Sequence, residues 1–129
     1  MDSFSNQTLP WILIIDDMVD NLETLGEVLV SEYNVQFATS GFEGLELMQQ
    51  HIPDLILLDV MMPDMDGYQV FTHLQSNPQT CNIPVIFVTA YNDADSESQA
   101  LATGAVDFIP KPINPKVVKA RIKTHLALK

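Results

Sequence analysis

The sequence predicts an α/β fold in which five strand–helix units build one doubly wound parallel sheet. Five short apolar runs of strand length recur along the chain. Each is followed by a segment whose apolar residues return at helical spacing. The third observation is size: 129 residues, 47% hydrophobic and 18% charged, suffice for one core and exclude intrinsic disorder.

The apolar runs are Trp11-Ile12-Leu13-Ile14-Ile15, Val35-Gln36-Phe37-Ala38, Leu55-Ile56-Leu57-Leu58, Val85-Ile86-Phe87-Val88 and Val106-Asp107-Phe108-Ile109. The first, third and fourth are apolar throughout, as central parallel strands covered on both faces should be. The second alternates, which places it at a sheet edge. Leu22, Leu25, Val28 and Leu29 mark the first helix, with Asp20 as its expected cap. Ser40-Gly41-Phe42-Glu43 reads as a capping box opening a second helix with Leu45, Met48 and Ile52 on its apolar side. Tyr68 to Leu74 forms a third, ended by Asn77-Pro78. Asp93 to Thr103 forms a fourth, closed by Gly104. Asn114-Pro115 opens a fifth that runs through Val118, Ile122 and Leu126. The expected division is an N-terminal extension over 1–10, one domain over 11–126, and a short end over 127–129 that could begin a linker.

Seventeen acidic against six basic residues give a net charge of -11. Such a surface repels phosphate backbones, so direct nucleic-acid binding is not expected. The lone Cys81 excludes an internal disulfide and fits a reducing compartment. No apolar run reaches membrane-spanning length, and the first ten residues lack a secretory pattern. A cytoplasmic domain without membrane contact is the expectation.

Open α/β sheets bind ligands beyond the carboxyl ends of their strands, where strand order reverses. Here those ends carry Asp16-Asp17, Asp59, Thr89-Ala90 and Lys111-Pro112. In the flavodoxin-like order 2-1-3-4-5, strands one and three are neighbours, and their acidic ends meet. Two carboxylates 5 Å apart repel by about 3 kcal/mol at an effective dielectric of 20. One lysine cannot offset three of them, so the cluster asks for a hard divalent cation. Mg²⁺ suits a site with few carboxylates, several waters and a phosphate, and Mn²⁺ could replace it. Thr89 and Lys111 add a hydroxyl and a mobile positive charge for an oxyanion. Together these groups describe an aspartate that accepts a phosphoryl group.

The doublet Asp16-Asp17, the stretch Leu58-Asp59-Val60-Met61-Met62-Pro63-Asp64-Met65-Asp66-Gly67, Val88-Thr89-Ala90 and Phe108-Ile109-Pro110-Lys111-Pro112 resemble the motifs of the receiver domain of bacterial two-component response regulators. The resemblance runs from about Trp11 to Leu126. It implies that Asp59 takes a phosphoryl group from the phosphohistidine of a sensor histidine kinase or phosphotransfer protein. It also implies that Asp17, Asp59 and the backbone carbonyl of Met61 hold Mg²⁺, with Asp16 acting largely through a water. Lys111 would pair with the phosphoryl oxygens. Thr89 and Phe108 would form the conformational switch, Phe108 standing where tyrosine is frequent. The bond between Lys111 and Pro112 would be cis. Met61 and Tyr91, two residues past the acceptor and two past the threonine, would tune loss of the phosphoryl group. Both are bulky and neither is an effective base, which implies a relatively long-lived phosphorylated form.

Other readings fit less well. Aligning Gly67 with the glycine of a calcium loop puts Met62 and His73 at its end ligand positions, where carboxylates are needed. A flavodoxin-like binding module would meet the charge of Asp16-Asp17 where it needs hydroxyls. A Mg²⁺-dependent phosphohydrolase of the haloacid-dehalogenase type is the main alternative, but it requires a second aspartate where Met61 stands. The expected role is regulatory rather than enzymatic, a component of a phosphorelay. His51, His73 and His125 are expected to be ordinary surface or partly packed histidines. Lys116, Lys119, Arg121, Lys123 and Lys129 give the last helix region five of the six basic residues. It could pair with Asp93, Asp95 and Glu97 of the fourth helix in a homodimer. The stretch Val118 to Leu126 resembles the junction to a C-terminal output domain, often one that makes or degrades cyclic dinucleotides.

Overall fold

The computed structural model describes residues 9–89, 102 and 104–128. Strands β1 (Trp11–Ile15), β2 (Asn34–Ala38), β3 (Leu55–Asp59), β4 (Val85–Thr89) and β5 (Asp107–Pro110) alternate with helices α1 (Val19–Leu29), α2 (Gly41–Gln50), α3 (Gly67–Gln75) and, last, α4 (Pro115–Ala127). The helix expected over 93–103 lies outside the described residues, as does Tyr91; Gly104 has the positive φ (107°) expected of a helix-terminating glycine.

All strand pairs are parallel and the order is β2-β1-β3-β4-β5. The sheet separates two apolar layers. One joins Leu13, Ile15, Ile56, Leu58 and Phe87 to Met48 of α2 and Val70 and Leu74 of α3. The other joins Ile12, Ile14, Leu55 and Leu57 to Leu22, Leu25 and Leu29 of α1 and Val118 and Ile122 of α4. Alternate residues of β1 and β3 thus enter opposite layers, which is why these strands tolerate no polar position before their ends.

Four local expectations need correction. Asp20 does not cap α1: the N-cap is Met18, without a side-chain cap bond, and Asp20 sits in the first turn, where the helix dipole favours it. The chain turns earlier because the Asp16 carboxylate accepts the Met18 N–H at 2.9 Å. The capping box on α2 is only half formed. Ser40 accepts from the Glu43 N–H, but the Glu43 carboxylate takes the N–H and hydroxyl of Thr39 instead of closing on Ser40. Ile52 lies beyond the end of α2 and is exposed. Val106 precedes β5 and is exposed rather than being a strand residue.

Other terminal signals hold. Asn114 caps α4 through the N–H groups of Lys116 and Val117, with Pro115 in the first turn. Asp66 and Gln69 form a reciprocal capping box on α3, so the Asp64–Gly67 stretch shapes the loop after β3. The Lys111-Pro112 peptide is cis. β2 lies at the sheet edge, where the exposed Phe37 ring lies against Gly26 of α1; a Cβ there would stand 2.7 Å from the ring.

Candidate functional site

Register delivers the polar strand ends to one edge. Ile15 pairs with Leu58, so the next residues, Asp16 and Asp59, stand on neighbouring strands. Asp59 pairs with Val88 and Thr89 with Pro110, which sets Thr89 and Lys111 beside them. The ladder continues past the strands: Asp16 N–H donates to Ala38 O, and Lys111 N–H donates to Thr89 O at 2.7 Å.

Asp16 (1% exposed), Asp59 (3%) and Thr89 (3%) are among the few buried polar residues. Carboxylate oxygens of Asp16, Asp17 and Asp59 lie within 4.8 Å of one another. Lys111 Nζ stands 3.1 Å from Asp59 Oδ1 and 3.4 Å from Asp16 Oδ2. Asp16 has further donors in the Met18 N–H and, at 3.1 Å, the Asn21 side-chain amide. Asp59 is the carboxylate with less support. Burial first, then the negative charge of Asp16, pushes its pKa from 3.8 to about 6, against the opposing pull of Lys111. Burial disfavours the charged form of Lys111, but Asp59 and Asp16 together outweigh it and hold its pKa above the ordinary lysine value. An acidic pocket with one ammonium and an under-compensated carboxylate is suited to a divalent cation and to an incoming anion carrying its own countercharge.

Gly67 holds the floor of this pocket. Its N–H donates to Val60 O at 2.9 Å, and a Cβ on it would collide with the Asp59 carbonyl oxygen. Only a residue without a side chain lets α3 begin this close to the acceptor strand. Sequence reasoning placed Gly67 in a turn but not against Asp59, and it passed over Asn21. The Asn21 signal, an amide five residues past Asp16, is weak without the fold. Met61 follows two residues beyond Asp59 and is 58% exposed. Phe108 is half-buried and packs at the rim of the layer that holds Phe87.

His51 contacts Trp11 edge-on, and His125 faces Asp107 at 3.0 Å, so neither enters the pocket. Of the basic residues of α4, Arg121 is turned to Asp107 and Lys119 to Glu32. Lys129, Asp93, Asp95 and Glu97 lie outside the described residues. Among the described residues, no helix is long and apolar enough to cross a membrane.

Residues 12–123 match the family described as the response regulator receiver domain. A protein of Vibrio cholerae named "Probable cyclic di-GMP phosphodiesterase" is 41% identical over 115 residues, which are 89% of this chain and 26% of that one. Response regulator PleD of Caulobacter vibrioides is 40% identical over 114 residues, 88% of this chain and 25% of its own length. This chain therefore spans about a quarter of the length of these relatives. Among solved structures, a response regulator from Desulfuromonas acetoxidans superposes with a TM-score of 0.83 at 33% identity, covering 92% of this chain and 97% of the other. The haloacid-dehalogenase alternative is not supported: the match is to another family, and methionine stands where that chemistry needs its second aspartate. The four strand ends, their shared pocket and this match give one conclusion: the chain belongs to the receiver domains of two-component response regulators.

Proposed function

We propose that Asp59 is the phosphoacceptor, taking a phosphoryl group from the phosphohistidine of a histidine kinase or phosphotransfer protein. A carboxylate oxygen of Asp59 attacks phosphorus in line, the P–N bond breaks, and the imidazole departs with the electron pair. The observation that carries this reading is the convergence of Lys111 and two further carboxylates on one buried aspartate. Lys111, already within hydrogen-bond reach of Asp59, follows the charge onto the phosphoryl oxygens. Asp17, Asp59 and the backbone carbonyl of Met61 would hold Mg²⁺, with Asp16 acting through a water. The donor set fits, being all oxygen, acidic and open to solvent on the Asp17 side. When bound, the ion supplies positive charge that screens the carboxylates from each other and from the incoming phosphoryl group.

Thr89 then donates its hydroxyl to a phosphoryl oxygen, and the Phe108 ring turns inward behind it. Phe108 has no hydroxyl, so the switch is read through ring burial alone. Met61 and Tyr91 shield the phosphoryl group without supplying a base, and the expected result is a slow loss of signal. The domain proper is 11–126, a regulatory element rather than an enzyme, acting in the cytoplasm. It would control a separate or C-terminal output. The Vibrio cholerae relative's name favours a cyclic-dinucleotide enzyme as that output. A homodimer through the segment 93–103 and α4 is supported by opposite charge on the two. Incubation with acetyl phosphate and Mg²⁺, followed by intact mass, should show one added phosphoryl group in the wild type and none in Asp59→Asn. Labelling that persists in Asp59→Asn would refute the assignment, and sizing the same sample reports dimerisation.

A further inference from the structure

We propose that Asp107, Arg121 and His125 form a clamp by which α4 holds the Phe108 ring in its half-buried place at the rim and sets how readily it turns further in; this rests on the switch role given to Phe108 above. Asp107 opens β5, and its carboxylate collects three donors. Oδ1 accepts the Phe108 N–H at 2.8 Å and the Arg121 guanidinium at 2.6 Å, and Oδ2 faces His125 Nε2 at 3.0 Å. A carboxylate only accepts, so His125 presents an N–H at Nε2. Arg121 and His125 are four residues apart on α4 and therefore share a face.

The strand places these contacts on two sides of the sheet. Successive residues of β5 point to opposite faces. Ile109 belongs to the layer covered by α4, and Asp107 points the same way; Phe108 packs at the rim of the opposite layer. Because β5 is the edge strand among the described residues, Arg121 reaches round the open edge. There its guanidinium carbon lies 6.0 Å from the Phe108 ring centroid while the same group grips Asp107. One side chain thus touches the ring and the residue that fixes the ring's backbone. Asp107 holds the Phe108 N–H in place, so the side chain is what moves, and inward rotation gives up the cation–π contact. Arg121 and His125 are positioning residues: they hold the ring at the half-buried rim position, and by linkage they weaken binding of whatever requires the ring further in.

The test uses the full chain labelled with 4-fluorophenylalanine, with the resonance of position 108 assigned through Phe108→Leu, and beryllofluoride with Mg²⁺ as the phosphoryl mimic. In Arg121→Gln and Asp107→Asn, the resonance of the unliganded protein should move toward its liganded position. Affinity for the mimic should rise about two- to fivefold, the factor that an exposed cation–π contact is worth. Arg121→Lys should fall between. An unmoved resonance with unchanged affinity in both variants overturns the clamp. Should Asp107→Asn fail to fold, Arg121→Gln decides alone. A wild type that ignores beryllofluoride refutes the Asp59 reading instead, and the clamp is then judged on the unliganded resonances.

Discussion

Replacing Asp59 by asparagine should stabilise the metal-free protein, although it removes the group proposed to receive the phosphoryl. Burial and the neighbouring Asp16 raise the Asp59 pKa from 3.8 to about 6. At about 1.36 kcal/mol per pH unit, that rise makes the ionised side chain cost the native state about 3 kcal/mol once pH is well above 6. Asparagine keeps the shape and removes the charge, and the opposing pull of Lys111 is already contained in the value of about 6, so a net gain of about 1–3 kcal/mol is expected. For a domain of this size that is roughly 4–12 °C in melting temperature. The sign depends on pH. A carboxyl whose native pKa is raised favours the native state when protonated, so the wild type loses stability as pH climbs from 3.8 through about 6 and is level above it. The gap between variant and wild type should therefore be full at pH 8, reduced at pH 5 and lost below the unfolded value. Thermal unfolding in EDTA at pH 8 and pH 5 measures both. A variant no more stable than wild type at pH 8, or a gap of the same size at pH 5, would refute the claim that Asp59 is an under-compensated buried charge.

Millimolar Mg²⁺ should raise the wild-type melting temperature through preferential binding to the native cluster, and Asp17→Asn should lose most of that increment. Lys111→Met should lower metal-free stability at pH 8 by about 1–3 kcal/mol and much less at pH 5, as followed by urea unfolding, because it leaves Asp59 and Asp16 facing each other without their shared ammonium. Gly67→Ala should destabilise by about 2 kcal/mol or more, since its Cβ would collide with the Asp59 carbonyl, and should slow acetyl-phosphate labelling. Tyr91→Ala should speed loss of the phosphoryl group in a phosphate-release assay, and an unchanged rate would contradict the shielding role.

Much of this was legible because the sheet obeys simple patterns. Ile12 to Ile15 and Leu55 to Leu58 are apolar at every position because both faces are covered, and their first polar residues, Asp16 and Asp59, then mark the strand ends directly. The register that joins them follows from parallel pairing of adjacent strands. What sequence did not reveal depended on distances through space. The start of α1 is set by a backbone amide captured by buried Asp16, so reading Asp20 as a cap by local preference missed it. Gly67 carries no mark of lying against Asp59. Asp107, Arg121 and His125 are separated by a turn and most of a helix, and the number of basic residues in α4 does not say which acidic group each one meets. In the fold, Arg121 is committed to Asp107 and Lys119 faces Glu32.

The most direct measurement is chemical location of the labelled side chain. Treating the acetyl-phosphate-labelled protein with borohydride converts an aspartyl phosphate to homoserine, and peptide sequencing by mass spectrometry then reads the position. Homoserine at residue 59 alone, dependent on Mg²⁺ and reduced in Lys111→Met, is the predicted result. Homoserine at 16, 17 or elsewhere with residue 59 intact would contradict the proposal that these strand ends serve one acceptor.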